Sequence, residues 1–204
     1  MISKFKSIFP DDWEYIFNVY KGFLSTTGSQ NENLILMLLE MGVNIGERLS
    51  RLSLNGFVEI GCGLAIPSLT LAKLGHTGVR AVDIDPKVIA CVEDLKNHLD
   101  CELDTQSCDI FEDRPKLQSG ELLIAEKPAS YKKSILEVEY NIRNWCAIEG
   151  HNLAIIPSFL DTDTLTSYPE RCEKYERKFK QVGFKVENHK ICEQLPFRWL
   201  IAVK

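Results

Sequence analysis

The chain has 204 residues, of which 45% are hydrophobic and 26% charged, with a formal net charge of -5 at pH 7. That length suits one domain with a substantial core and is too short for two ordinary ones, and the composition excludes a disordered or fibrous chain. The acidic balance argues against a surface built mainly for a phosphate backbone, so nucleic acid is not expected as a partner.

The first residues, Met1 to Ser7, carry Lys4 and Lys6 but no following apolar stretch of the length an export signal needs. No segment approaches the roughly 18 consecutive apolar residues of a membrane span. A cytoplasmic protein with no membrane association is therefore expected. The seven cysteines, at positions 62, 91, 101, 108, 146, 172 and 192, contain no C-x-x-C pair and form an odd set, so they read as free thiols rather than a disulfide framework or zinc site.

In chain order, Pro10-Asp11-Asp12 supplies a helix start, and Trp13, Ile16, Phe17, Tyr20, Phe23 and Leu24 recur at helical spacing. After a polar break at residues 25–30, a second helix carries Leu34, Ile35, Leu38, Leu39 and Met41, and a short third one includes Ile45, Leu49 and Leu52. These helices form an extension over residues 1–55, with aromatic residues expected in the core. From Gly56 onward short apolar runs alternate with amphipathic helices, which signals βα units and a largely parallel sheet. Strands are expected at 57–60, 79–82, 102–105, 121–125 and 152–156. Helices fit between them at 67–74, 86–98, weakly at 110–118, and at 131–148. The end differs: a helix over 170–181 precedes strands at 184–191 and 197–203, joined so tightly at Gln194-Leu195-Pro196 that they must be antiparallel. The expected fold is thus α/β, a Rossmann-like doubly wound, mostly parallel seven-stranded sheet with a C-terminal antiparallel hairpin, in one domain over 1–204.

Val58-Glu59-Ile60-Gly61-Cys62-Gly63-Leu64-Ala65 falls where the first strand turns into its helix. Gly61 and Gly63 can take backbone angles other residues resist, which lets a ligand approach the main chain. Glu59 lies two residues before the first glycine, and Asp83 ends the second strand at the switch point of the sheet. A nicotinamide dinucleotide site would place a third glycine at position 66, which is Ile66. A pyrophosphate also prefers an uncompensated helix terminus, whereas Glu59 suits a ligand bearing an ammonium and a sulfonium. Asp85-Pro86 reads differently, as a carboxylate cap followed by proline at the first helical position.

In these motifs residues 56–204 resemble the class I S-adenosylmethionine methyltransferases, whose first motif is an acid, any residue, then glycines at alternate positions. The resemblance implies S-adenosylmethionine as cofactor, with Glu59, Gly61, Cys62 and Gly63 at its methionine end. It further implies Asp83 on the ribose hydroxyls, Asp109 at the adenine amino group, and Ile84 and Ile110 packing the ring. Ala65 stands where the family often has a third glycine. The helical extension would then cover the site and select the substrate.

In such a sheet chemistry occurs beyond the carboxyl ends of the strands, so the segment after the fourth strand should border the transferred methyl group. Glu126 can remove a proton or hold an amine, Lys127 can depress an acidic nucleophile's pKa, and Tyr131 can position an acceptor. Family members that methylate glutamine, adenine or cytosine amino groups carry Asn or Asp, Pro, Pro and an aromatic residue here. Glu126-Lys127-Pro128-Ala129 departs from that pattern, while Ile66-Pro67-Ser68 is similar to a protein-lysine subgroup. The four histidines share no spacing and no metal is expected. The basic run from Arg171 to Lys190 reads as the wet face of a helix. The expected activity is methyl transfer to a small metabolite or protein side chain. The alternatives are a binding protein that keeps the pocket without turnover, and a nicotinamide-dependent oxidoreductase.

Overall fold

The computed structural model describes residues 3–25, 31–126, 133–158, 160, 164, 166–191 and 197–204. Seven strands form one sheet: β1 (Gly56–Ile60), β2 (Val79–Asp83), β3 (Asp104–Ser107), β4 (Glu121–Glu126), β5 (Asn152–Ile156), β6 (Lys185–Lys190) and β7 (Arg198–Val203). Their order is β3-β2-β1-β4-β5-β7-β6. The first five strands pair parallel, and β7 runs antiparallel to both β5 and β6. The chain starts at β1 in the middle and reverses its direction of travel between β1 and β4, which opens a crevice at the carboxyl ends of those strands. The seven strands and the terminal hairpin match the expectation from sequence.

Helices α1 (Ser3–Ile8), α2 (Trp13–Ser25), α3 (Glu32–Leu49), α4 (Ile66–Lys73) and α5 (Pro86–His98) cover one face, while α6 (Ile135–Glu149) and α7 (Ser167–Gln181) cover the other. The strands show why: along β4, Leu122 and Ile124 join the first core and Leu123 and Ala125 the second, and Trp199 and Leu200 of β7 divide likewise. The helices of residues 1–55 are thus packed into the core. Phe5, Ile16, Ile35 and Leu39 are fully buried, and α3 lies so close on α4 that a Cβ at Gly42 would meet Ile66 Cγ2 at 2.7 Å. Asp12 and Tyr15 tie the start of α2 to His98 of α5, by a 3.1 Å contact and a 3.8 Å ring stack. No helix among the described residues is long and apolar enough to cross a membrane.

Three expectations about the elements are corrected. The second and third helices are one continuous α3, because Gly42 and Gly46 do not break it but let α4 approach. Strand β3 lies two residues later than expected; its sequence, Asp-Thr-Gln-Ser, is polar and half exposed at the sheet edge, so no apolar pattern marks it. Residues 108–120 hold turns and no helix. Pro115 disfavours helix at Arg114 before it, and the segment is instead pinned by Arg80, which donates to the Lys116 carbonyl at 2.8 Å, and by Gln118 N–H donating to Glu121.

The α6–α7 face carries a buried charged network. Glu139 is fully buried and accepts from Arg171 at 2.8 Å, the Tyr175 hydroxyl at 2.7 Å and the Ser158 N–H at 2.7 Å. The Arg143 guanidinium lies 3.5 Å from the Tyr175 ring centroid. Arg171, read from sequence as part of a wet face, turns inward to serve this carboxylate.

Candidate functional site

The carboxyl ends of β1, β2 and β4 define the crevice. In the register Ile60 lies opposite both Val82 and Ala125, so Gly61, Asp83 and Glu126 stand level on three adjacent strands. Beyond Ile60 the chain makes three left-handed turns at alternate positions, with φ of 58° at Gly61, 51° at Gly63 and 52° at Ala65. A Cβ added at Gly61 or Gly63 would meet nothing within 4 Å, so open space lies before the main chain there. Ala65 keeps the same conformation at the N-terminal boundary of α4 despite its methyl group, which costs about 1 kcal/mol.

Asp83 locks this loop from β2. Its Oδ2 accepts from Gly63 N–H at 3.1 Å and its Oδ1 from Asp85 N–H at 3.0 Å. Asp85 caps α5 through Lys87 N–H at 2.9 Å, with Pro86 next, as its sequence implied. Ile84, between the two acids, is 47% exposed. Asp109 lies in the turn after β3, where Oδ1 accepts from Phe111 N–H at 3.0 Å, and Ile110 packs against the second core.

Glu59 sits beneath the loop with 1% of its surface exposed. One carboxylate oxygen accepts from both the Ser68 N–H, at 3.0 Å, and the Ser68 hydroxyl. Burial, opposed in part by Ser68 and reinforced by Glu126 and Asp83, pushes its carboxyl up to about 8 from the ordinary 4.5. The groups acting most on Glu59 therefore include no cation. Cys62 is buried, and burial with the nearby Glu59 and Asp83 holds its thiol protonated, so it acts as an inert packing group.

The sequence reading missed two contributors. Ser68 satisfies Glu59 through α4, and burial, reinforced by Glu126 and Glu59, raises the hydroxyl of Tyr20 on α2 well above the ordinary value. Tyr20 falls in a regular apolar stripe, so nothing in its spacing separates it from core. Glu126 reaches the crevice from β4. Lys127 and Tyr131, the other two expected catalytic residues, lie outside the described residues. No group of three or more His, Cys, Asp or Glu suited to a metal occurs among the described residues.

No family model matches the chain. A search of curated proteins also gives no match. Solved structures do match. Magnesium protoporphyrin IX methyltransferase from Synechocystis PCC 6803, with bound S-adenosylmethionine, superposes with a TM-score of 0.61 at 15% identity, over 98% of this chain and 97% of that one. A putative O-methyltransferase from Nostoc punctiforme PCC 73102 gives 0.60 at 11% identity, covering 100% of this chain and 73% of that chain. The ribosomal protein L11 methylase of Lactobacillus delbrueckii subsp. bulgaricus gives 0.56 at 15% identity, over 87% and 80%. The strand order, the crevice beside β1 and these likenesses agree: the chain has the fold of the class I S-adenosylmethionine-dependent methyltransferases.

Proposed function

We propose that the chain binds S-adenosylmethionine at the Gly61–Gly63 loop and catalyses methyl transfer to a small metabolite or a protein side chain. The observation that carries this reading is the meeting of Glu59, Asp83 and Glu126 around an open left-handed loop, with no cation among the groups acting most on Glu59. A cationic sulfonium and ammonium would supply the missing charge. The same geometry disfavours a dinucleotide. A pyrophosphate needs the donors of the first helical turn, but in α4 the Ser68 N–H is given to Glu59 and Pro67 has none.

When bound, the cofactor supplies an electrophilic methyl group on sulfur. The chain's part is to bind, align and exclude water, since an in-line displacement draws most of its acceleration from alignment. In this proposal Gly61, Cys62 and Gly63 present main chain to the methionine end, and Glu59 contributes its charge from below. Asp83 keeps lone pairs beyond its two amide bonds and accepts from the ribose hydroxyls. Asp109 meets the adenine amino group, with Ile84 and Ile110 against the ring. Glu126, with Lys127 and Tyr131 after it, borders the acceptor, where Glu126 takes a proton from a protonated nucleophile or holds an amine. Tyr20 covers the crevice from α2.

The test is to incubate the protein with methyl-labelled S-adenosylmethionine and a cell extract, then separate protein from metabolites. Label entering one of the two fractions, and lost in Glu126→Gln and Asp83→Ala, is expected. Label in neither, alongside tight cofactor binding, would make the chain a binding protein without turnover.

A further inference from the structure

Helix α6 carries apolar residues on two sides. One side is buried with α7 and the sheet through Val138, Ile142 and Cys146. The other faces outward, where the free side of a surface helix is ordinarily charged. Of the seven large apolar side chains most exposed among the described residues, three stand on this side: Leu136, Tyr140 and Ile148, the last 82% exposed. Their spacing of four and eight residues sets them on one stripe about 18 Å long, which the partly covered Asn144 completes. Single exposed apolar residues are ordinary, whereas an aligned set marks a contact surface.

Charge is nearly absent from the stripe. Glu139 and Arg143 are buried, and Glu149 turns aside to accept from the Trp145 indole at 2.9 Å. Glu137 stands beside Leu136, and Lys178 of α7 flanks Tyr140, with Nζ 5.9 Å from its ring centroid.

The stripe is also its own complement. Leu136 and Ile148 lie six residues either side of Ile142, and Tyr140 and Asn144 lie two. A second copy of α6, laid antiparallel about a two-fold axis at that level, therefore sets Leu136 on the partner's Ile148. The same axis brings the Tyr140 hydroxyl to the partner's Asn144 amide, and each contact occurs twice. The flanking charges follow this inversion. Lys133 and Glu137 stand at the N-terminal end of α6, and Arg114, 3.8 Å from Glu149, stands at the C-terminal end. Acid then meets base at both ends, with Glu137 opposite the partner's Arg114 and Lys133 opposite the partner's Glu149.

We propose that the outward face of α6 is a homodimer interface, in which two copies pair antiparallel through Leu136, Tyr140, Asn144 and Ile148. One helix of 15 residues on another, about 22 Å long, buries less than the roughly 1,200 Å² of a standard stable interface, so the dimer is weak and reversible. The surface is independent of the methyl-transfer reading, because none of its residues belongs to the glycine loop or the ends of β1, β2 and β4.

Sedimentation velocity of the full chain across a micromolar concentration series tests it. The mass is expected to rise from 23.2 kDa toward twice that value. Ile148→Glu should raise the dissociation constant at least tenfold. Its melting point at low concentration should match wild type, because the side chain it replaces already stands in water. Leu136→Lys should weaken the dimer likewise. The double variant Leu136→Lys/Ile148→Glu should recover part of the loss, since the introduced lysine of each copy faces the introduced glutamate of the other. Within one helix those positions are too far apart to pair, so recovery reports the antiparallel contact. Stabilisation by S-adenosylhomocysteine should be unchanged in all three. A monomer at every concentration, a dimer indifferent to Ile148→Glu, or no recovery in the double variant would overturn the proposal.

Discussion

Two of the buried carboxylates, Glu59 and Glu139, have opposite surroundings. Glu139, on the α6–α7 face, has Arg171 as a direct ion partner, Arg143 near by, a tyrosine hydroxyl and a backbone N–H. Glu59, at the crevice, has one serine and two further acids. Burial raises both carboxyls, yet only Glu139 is supplied with counter-charge by the fold itself. A buried ion with built-in partners fixes α6, α7 and the Ser158 turn to one another. A buried acid without them is costly unless something else brings the positive charge, and such acids mark functional sites.

The contrast can be broken by substitution, and the largest effect falls on the structural side. Arg171→Met leaves Glu139 without its ion partner and should cost about 3 to 5 kcal/mol in urea unfolding. Glu59→Gln should cost nothing and add up to about 1 kcal/mol, because an uncompensated buried acid is removed while Ser68 keeps an acceptor. Equal destabilisation by both would show that the two acids play the same role. Next in size, Asp83→Ala should weaken cofactor binding by about 1.5 to 3 kcal/mol, the value of a hydrogen bond to a charged group. Unchanged affinity in a calorimetric titration would remove Asp83 from the site.

A pH series sharpens the comparison further. Glu59 is raised from 4.5 to about 8 in the folded chain, so the unfolded state loses this proton first as pH rises. Its contribution is fully present below about pH 4.5 and is lost as pH rises toward 8, at no more than about 1.4 kcal/mol per pH unit. A cationic ligand favours the ionised form, so cofactor affinity should rise over the same window. Both slopes should flatten in Glu59→Gln, and chemical denaturation across pH 5 to 8.5 measures the first. The smallest effect is at Ala65: replacing it with glycine relieves about 1 kcal/mol of left-handed strain, offset by about 0.4 to 1 kcal/mol of added unfolded-state freedom, and should stabilise by no more than about 0.6 kcal/mol in thermal melts.

What the sequence made legible was local. The glycine pair, the acid before it, the Asp85-Pro86 cap and the buried parallel strands β1, β2, β4 and β5 each carry their signal within a few residues, and all stand within a residue of where they were expected. Contacts made at long range were hidden. Gly42 and Gly46 look like helix breakers until Ile66 and Thr70 of α4 are seen against them. Edge strand β3 has no apolar alternation because it buries little. Arg171 looks like any basic residue on a wet helix, and Glu139 like any acid on α6, until the fold brings them within 2.8 Å. Tyr20 reads as core because it is nearly that, differing only in which carboxylates it faces.

The most direct measurement is a thermal melt with S-adenosylmethionine, S-adenosylhomocysteine or NAD at about 100 times an expected dissociation constant, where a native-state ligand adds about 2.7 kcal/mol. The account predicts a raised melting point with the two sulfur nucleosides and none with NAD. Stabilisation by NAD alone, or by none of the three, would contradict it.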